Sequence, residues 1–154
     1  MVTLNFMQSS SETYDKEVDL SRFVDAQASV YAKVLSELKN GQKQTHWMWY
    51  VFPQLDGLGH SSTARYYSIQ NLAEARAYLS HPLLGARLIE CANLVLDITG
   101  SSAHEIFGYP DEMKLHSCMT LFANVEGSDS VFSRVLDKYY QGNKDALTLQ
   151  LLGN

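Results

Sequence analysis

Clustered positive charge is the first thing missing from these 154 residues. Twelve Lys and Arg face seventeen Asp and Glu, the formal net charge is −5, and the basic residues form no run. A nucleic-acid binder neutralises phosphates with grouped Lys and Arg, so the sequence argues against that class. Long apolar runs are missing too. No stretch approaches the roughly 18–20 uninterrupted apolar residues that a membrane span needs. The first ten residues have neither a basic n-region nor an apolar core, so no signal peptide is expected. Cysteine is scarce: Cys91 and Cys118 could form one disulfide, but neither lies in a CxxC or a metal-ligand spacing. Two free thiols in a reducing cytoplasm is the simpler expectation. Among the five histidines none has a histidine four residues on, and there is no HExxH. No metal and no cofactor is expected.

What is present is enough to fold. Hydrophobic residues make up 45% and charged residues 19%, which excludes wholesale disorder. One domain is the default at this length. Residues 1–18 are polar and unpatterned, and read as a flexible arm. From Asp19 to the end the signals are helical, giving a single helical domain over 19–154. Phe23, Ala26, Val30, Val34 and Leu38 form one stripe over Asp19–Asn40, with Asp19 or Ser21 as cap and Gly41 as the left-handed stop. Asn71 and Glu74 predict a helix over Leu72–Ser80, and Pro82 starts another that runs to about Asp97. Ser102 and Glu105 make a second capping box. Pro110, Asp111 and Glu112 open a long helix by placing negative charge at the positive end of its dipole. Ser130–Gln141 and Lys144–Leu152, the latter capped by Asn143, close the chain. No strand, hairpin or repeat is convincing, so the fold class is all-α with about seven or eight helices.

The chain is organised around Thr45–Gly59, which holds both tryptophans together with His46, Tyr50, Phe52 and Pro53. Such a run needs burial, complete or around a cavity. Periodicity does not separate a buried strand from a buried helix there. Thr45 as cap and Pro53 as stop favour a short helix, which groups His46, Trp49, Tyr50 and Pro53 on one face. Gly57 and Gly59 then form a turn, and Ser61 or Ser62 caps the next helix, Thr63–Ile69.

Several blocks together resemble one family. They are Arg22-Phe-Val-Asp-Ala-Gln27, His46-Trp-Met-Trp-Tyr-Val-Phe-Pro-Gln54, Gly57-Leu-Gly59 with Ser61, His81-Pro-Leu-Leu-Gly-Ala-Arg-Leu88, Ile106-Phe-Gly108, and Lys114-Leu115 with Met119-Thr-Leu-Phe122. In that order they resemble the family known as domain of unknown function 1810, from about Asp19 to the C-terminus. The resemblance implies a compact, mainly helical fold with a surface groove, and no assigned activity. The sequence departs from the family pattern at Tyr67, where a glycine is expected after the first tyrosine, and at His116 and Cys118.

The candidate site follows from the aromatic stretch and its Gly-Ser turn. His46, Trp49 and Tyr50 are expected to wall a groove, because Trp and Tyr carry a polar atom that favours half-buried cleft walls. Gln54 and the turn bearing Gly59 and Ser61 would floor it, and backbone N–H groups there could hold an anion. Arg65 and Lys114 would add positive charge. Each also has a plain structural reading: core aromatics, a capping serine, solvated cations. His81, ahead of Pro82, reads as a capping residue, and Cys118 as a buried, inert thiol. The leading expectation is a small cytoplasmic domain that binds a small polar or phosphate-bearing ligand. The alternatives are a hydrolase or transferase acting on a nucleotide-like substrate, with catalytic residues not identifiable, and a protein–protein interaction module. Nothing in the sequence chooses an oligomeric state.

Overall fold

Six helices of eight or more residues and four of one or two turns follow one another along the described chain. A computed structural model describes residues 18–153; the arm expected over 1–18 falls almost wholly outside them. The helices are α1 (Ser21–Ala28), α2 (Tyr31–Lys39), α3 (Met48–Val51), α4 (Ser62–Tyr66) and α5 (Leu72–Ser80), then α6 (Leu84–Asp97), α7 (Ala103–Phe107), α8 (Asp111–Glu126), α9 (Val131–Tyr140) and α10 (Ala146–Leu151). Among the described residues there is no strand, only one parallel bridge between Leu55 and Ile69. The protein is an all-α single domain.

α8 is the central helix. From Leu115 to Ala123 only His116 escapes full burial, so it is apolar nearly all round, as a helix surrounded by others must be. α5, α7, α9 and α10 pack on it, and α6 lies against α2, α5 and α9. Phe23, Tyr78, Phe122 and Phe132 join in the core through tilted and edge-on ring contacts, Phe23 meeting Tyr78 at 5.0 Å and 87°. Each such ring contributes roughly 1.5–3 kcal/mol by leaving water.

Local signals placed most ends correctly. Ser102 and Glu105 bond reciprocally, and Ser61, Asn71 and Ser130 accept from the third backbone N–H beyond them. Gly41 adopts φ +73° where the left-handed stop is expected. Several details differ: the helix expected over Thr63–Ile69 ends at Tyr66, leaving Ile69 to bridge Leu55, and α1 has no side-chain cap from Asp19 or Ser21. The first long helix breaks at Ser29–Val30, and just ahead of the break Gln27 turns inward and donates to the Tyr50 carbonyl (2.7 Å) and the Tyr78 hydroxyl (3.2 Å). The last helix is capped by Asp145, not Asn143. Thr45 caps nothing; its hydroxyl donates to Glu37 at 2.6 Å, and α3 begins at Met48.

Cys91 and Cys118 are both free and buried. Burial pushes the Cys91 thiol up to about 12 despite its bond to the Tyr31 hydroxyl, and burial alone raises Cys118 well above the usual thiol range. Neither forms the thiolate that reacts. A thiol-specific chromogenic reagent should therefore titrate no cysteine in the native chain and two after denaturation. Fast native reaction of either would show an opening that this packing does not contain.

Candidate functional site

Two carboxylates from elsewhere in the chain fasten the aromatic stretch. Glu37, buried on α2, accepts from the backbone N–H of Gln44 (2.8 Å) and Thr45 (3.1 Å), from the Thr45 hydroxyl, and from the Trp47 indole N–H (2.9 Å). Asp111 accepts from Lys43 at 2.8 Å and lies 3.6 Å from the Lys114 ammonium. Each ammonium also covers a tryptophan: Lys43 is 5.0 Å from the Trp47 ring centre and Lys114 4.7 Å from that of Trp49. At the far end, the Ile69 N–H donates to the Gln54 carbonyl (2.9 Å) and the Asp56 N–H to that of Ile69 (2.8 Å).

A cleft of about 230 Å³ opens beside this stretch. Gln54, Leu58 and Gly59 form one wall. Tyr109, Pro110, Met113, Lys114 and Ser117 form the second, and Asp145 and Leu147 the third. The second wall is a helix face: positions 110, 113, 114 and 117 follow i, i+3, i+4, i+7 spacing. Tyr109, Met113 and Leu147 are 75%, 55% and 48% exposed, large values for apolar side chains gathered at one place. The Asp145 carboxylate is occupied as a cap, accepting from the Thr148 N–H (3.0 Å) and hydroxyl (2.6 Å) and from Ser117 (3.4 Å). The cleft's other polar lining is the Gln54 amide, the Tyr109 hydroxyl and the Lys114 ammonium, which it shares with Asp111.

Of the expected site residues, Gln54, Gly59 and Lys114 come together in this cleft, with Trp49 behind Lys114. Gly59 is there for space: a Cβ on it would lie 2.5 Å from that of Ala64, so the turn presses on α4. His46, Tyr50, Ser61 and Arg65 do not line it. His46 is exposed, and its carbonyl accepts from the Tyr50 hydroxyl at 3.4 Å. The Tyr50 ring turns to the other side and packs 5.2 Å from that of Tyr67, with burial and then the neighbouring phenol raising its pKa. The Ser61 side chain accepts from Ala64 N–H, and Arg65 is exposed on α4. Leu58 belongs to the expected Gly57–Ser61 floor, whereas sequence reasoning missed Tyr109, Pro110, Met113, Ser117, Asp145 and Leu147. Extending the helix face that carries Lys114 would have found three of them.

The remaining histidines have structural partners or none that point to chemistry. His116 stacks on Tyr140 (4.2 Å, 5°) and donates from Nε2 to the Asn143 carbonyl at 2.7 Å. His104 pairs with Glu112 at 2.5 Å, and that hydrogen bond raises its pKa. His81 caps the turn into α6 through Nδ1. Among the described residues no group of three or more His, Cys, Asp or Glu could hold a metal ion, and no helix is long and apolar enough to cross a membrane.

Comparison with known proteins places this geometry in a family. No curated protein matches the chain. The crystal structure of the conserved hypothetical protein Rv1873 from Mycobacterium tuberculosis is similar, with 53% identity and a TM-score of 0.87 over 90% of this chain and 99% of that one. A family model described as protein of unknown function (DUF1810) matches residues 17–152, the helices and the cleft walls included. The chain therefore belongs to the DUF1810 family.

Proposed function

We propose that the protein is a small cytoplasmic binding domain whose working surface is the cleft between the Gln54–Gly59 turn, the start of α8 and the start of α10. It accepts a small polar ligand with an anionic group, a phosphate among the candidates. The observation that carries this reading is the gathering of Tyr109, Met113 and Leu147, all strongly exposed, around the Lys114 ammonium. The ammonium meets the anion, the Gln54 amide adds a hydrogen bond, and Tyr109 and Met113 cover an apolar or planar portion. Two unpaired thiols suit a reducing compartment.

One observation favours a second reading, a protein-interaction module. Leu151, 45% exposed, lies beside Gly57 and carries the apolar surface beyond the cleft along α10. The hydrolase or transferase reading draws no comparable support, since no histidine lines the cleft and Ser117 donates to the Met113 carbonyl at 3.1 Å.

The test is a thermal-shift screen against nucleotides, ADP-ribose-type compounds and sugar phosphates, read also by tryptophan fluorescence. A ligand at about a hundred times its Kd contributes roughly 2.7 kcal/mol, a rise of about 5–10 °C. Trp49 is half-buried against Lys114 whereas Trp47 is enclosed, so the fluorescence change should vanish in Trp49→Phe and binding should fall in Lys114→Ala. A hit indifferent to both substitutions would sink the assignment of this cleft. A panel without hits would favour the interaction module.

A further inference from the structure

A second cavity, about 480 Å³, shares no residue with the cleft. It lies where the last turn of α5 meets the bend into α6. Its apolar lining is Val18, Leu20, Ala77 and Pro82, and its polar lining is Arg76, Ser80 and His81. Arg76 and Ser80 stand four residues apart on α5, hence on one face. Among the described residues Arg76 has no carboxylate partner.

His81 supplies the decisive detail. Its Nδ1 accepts the backbone N–H groups of Leu83 (3.1 Å) and Leu84 (3.2 Å). Accepting at Nδ1 places the ring proton on Nε2, which makes the other nitrogen a donor. The same two bonds fix the ring's orientation, so the donor is held in place before any ligand arrives. Among the described residues, every polar side chain lining this cavity can therefore donate, and none is acidic.

We infer that this cavity binds an organic anion: a carboxylate or phosphate monoester on a short apolar body. The Arg76 guanidinium takes two anion oxygens through its planar fork, as it does with carboxylates and phosphates generally. The Ser80 hydroxyl and His81 Nε2–H take the rest, and the body lies on Leu20, Ala77 and Pro82. The volume falls within the roughly 300–1,000 Å³ of small-molecule sites. The His81-Pro82 segment thus serves two ends at once, starting α6 with one ring nitrogen and offering the other to a ligand.

The experiment titrates phenyl phosphate, benzoate and inorganic phosphate into isotope-labelled full-length protein, following the His81 ring and Arg76 guanidinium signals by NMR. Expected are saturable shifts at both residues, with an aryl anion binding about tenfold or more tighter than inorganic phosphate because only it fills the apolar floor. Tighter phenyl phosphate supports a phosphate monoester and tighter benzoate a carboxylate. Arg76→Gln, at an exposed position that leaves the fold intact, should weaken binding about tenfold or more, with Ser80→Ala weakening it less. Absence of saturable shifts with either aryl anion overturns the proposal. Binding that survives Arg76→Gln but is lost in Lys114→Gln belongs to the cleft and overturns it as well.

Discussion

Gly85→Ala is expected to lower the melting temperature by about 10 °C, a loss of about 3 kcal/mol in a domain of this size. Nothing in its dihedrals requires glycine, since Gly85 is an ordinary helical residue in α6. The cause is space. A Cβ there would stand 1.9 Å from the carbonyl oxygen of Leu79, 2.8 Å from its carbonyl carbon and 3.3 Å from its Cα. All three are backbone atoms, so no rotamer change relieves the clash. α5 and α6 must move apart, which loosens Ala75 and Tyr78 against Leu84 and Leu88. The comparison that isolates this cause is Gly108→Ala, where φ is +73° and no atom lies within 4 Å of the added carbon. There alanine meets only the backbone penalty of φ +73° with ψ 170°, a region essentially confined to glycine, about 1–3 kcal/mol. Chemical denaturation of both variants at one temperature checks the order. A Gly85→Ala protein as stable as the wild type would mean the two helix ends are not in backbone contact.

The same contact shows which parts of this fold are readable from sequence. Signals confined to one turn of chain were legible. Ser102 and Glu105, Asn71 and Glu74, and Gly41 announce helix ends because the groups they satisfy lie within four residues. Features set by distant partners were not. The inward turn of Gln27 depends on Tyr50 and Tyr78, 23 and 51 residues on. Lys114 was picked as a cation, but nothing in the sequence marked Tyr109, Met113 and Leu147 as its companions, because they meet it only where α10 packs near the start of α8. His46 and Tyr50 were drawn into the site by the aromatic richness around them. That richness says only that the segment is enclosed: Trp47 and Phe52 enter the core, Tyr50 covers Tyr67, and Trp49 alone backs the cleft.

Glu37 is the residue whose replacement should reveal most about how the aromatic stretch is held, and its effect should depend on pH. A carboxylate in an otherwise apolar helical stripe is normally unfavourable, and no cation pairs with it among the described residues. Burial pushes its pKa up, but the donated bonds from the Thr45 hydroxyl, the Gln44 and Thr45 N–H groups and the Trp47 indole outweigh burial and hold it at about 2, against 4.5 in the unfolded chain. The folded-state value is the lower one. The stabilisation is therefore complete above pH 4.5 and fades as pH falls towards about 2, and the shift corresponds to about 3 kcal/mol. Glu37→Gln keeps the shape and one acceptor oxygen but cannot ionise. Urea unfolding at neutral pH should show it less stable than the wild type by about 2–3 kcal/mol. At about pH 3 that gap should narrow by about 2 kcal/mol, because the wild-type unfolded chain has by then taken up its proton. Glu37→Ala should fare worse at neutral pH, by about 3–5 kcal/mol, since it also leaves the Trp47 indole N–H without an acceptor. A stability gap for Glu37→Gln that did not change with pH would mean that the side chain titrates in the native state as it does in the unfolded chain. The turn ahead of α3 would then be held by packing, and the position of Trp49 against Lys114 would not depend on this carboxylate.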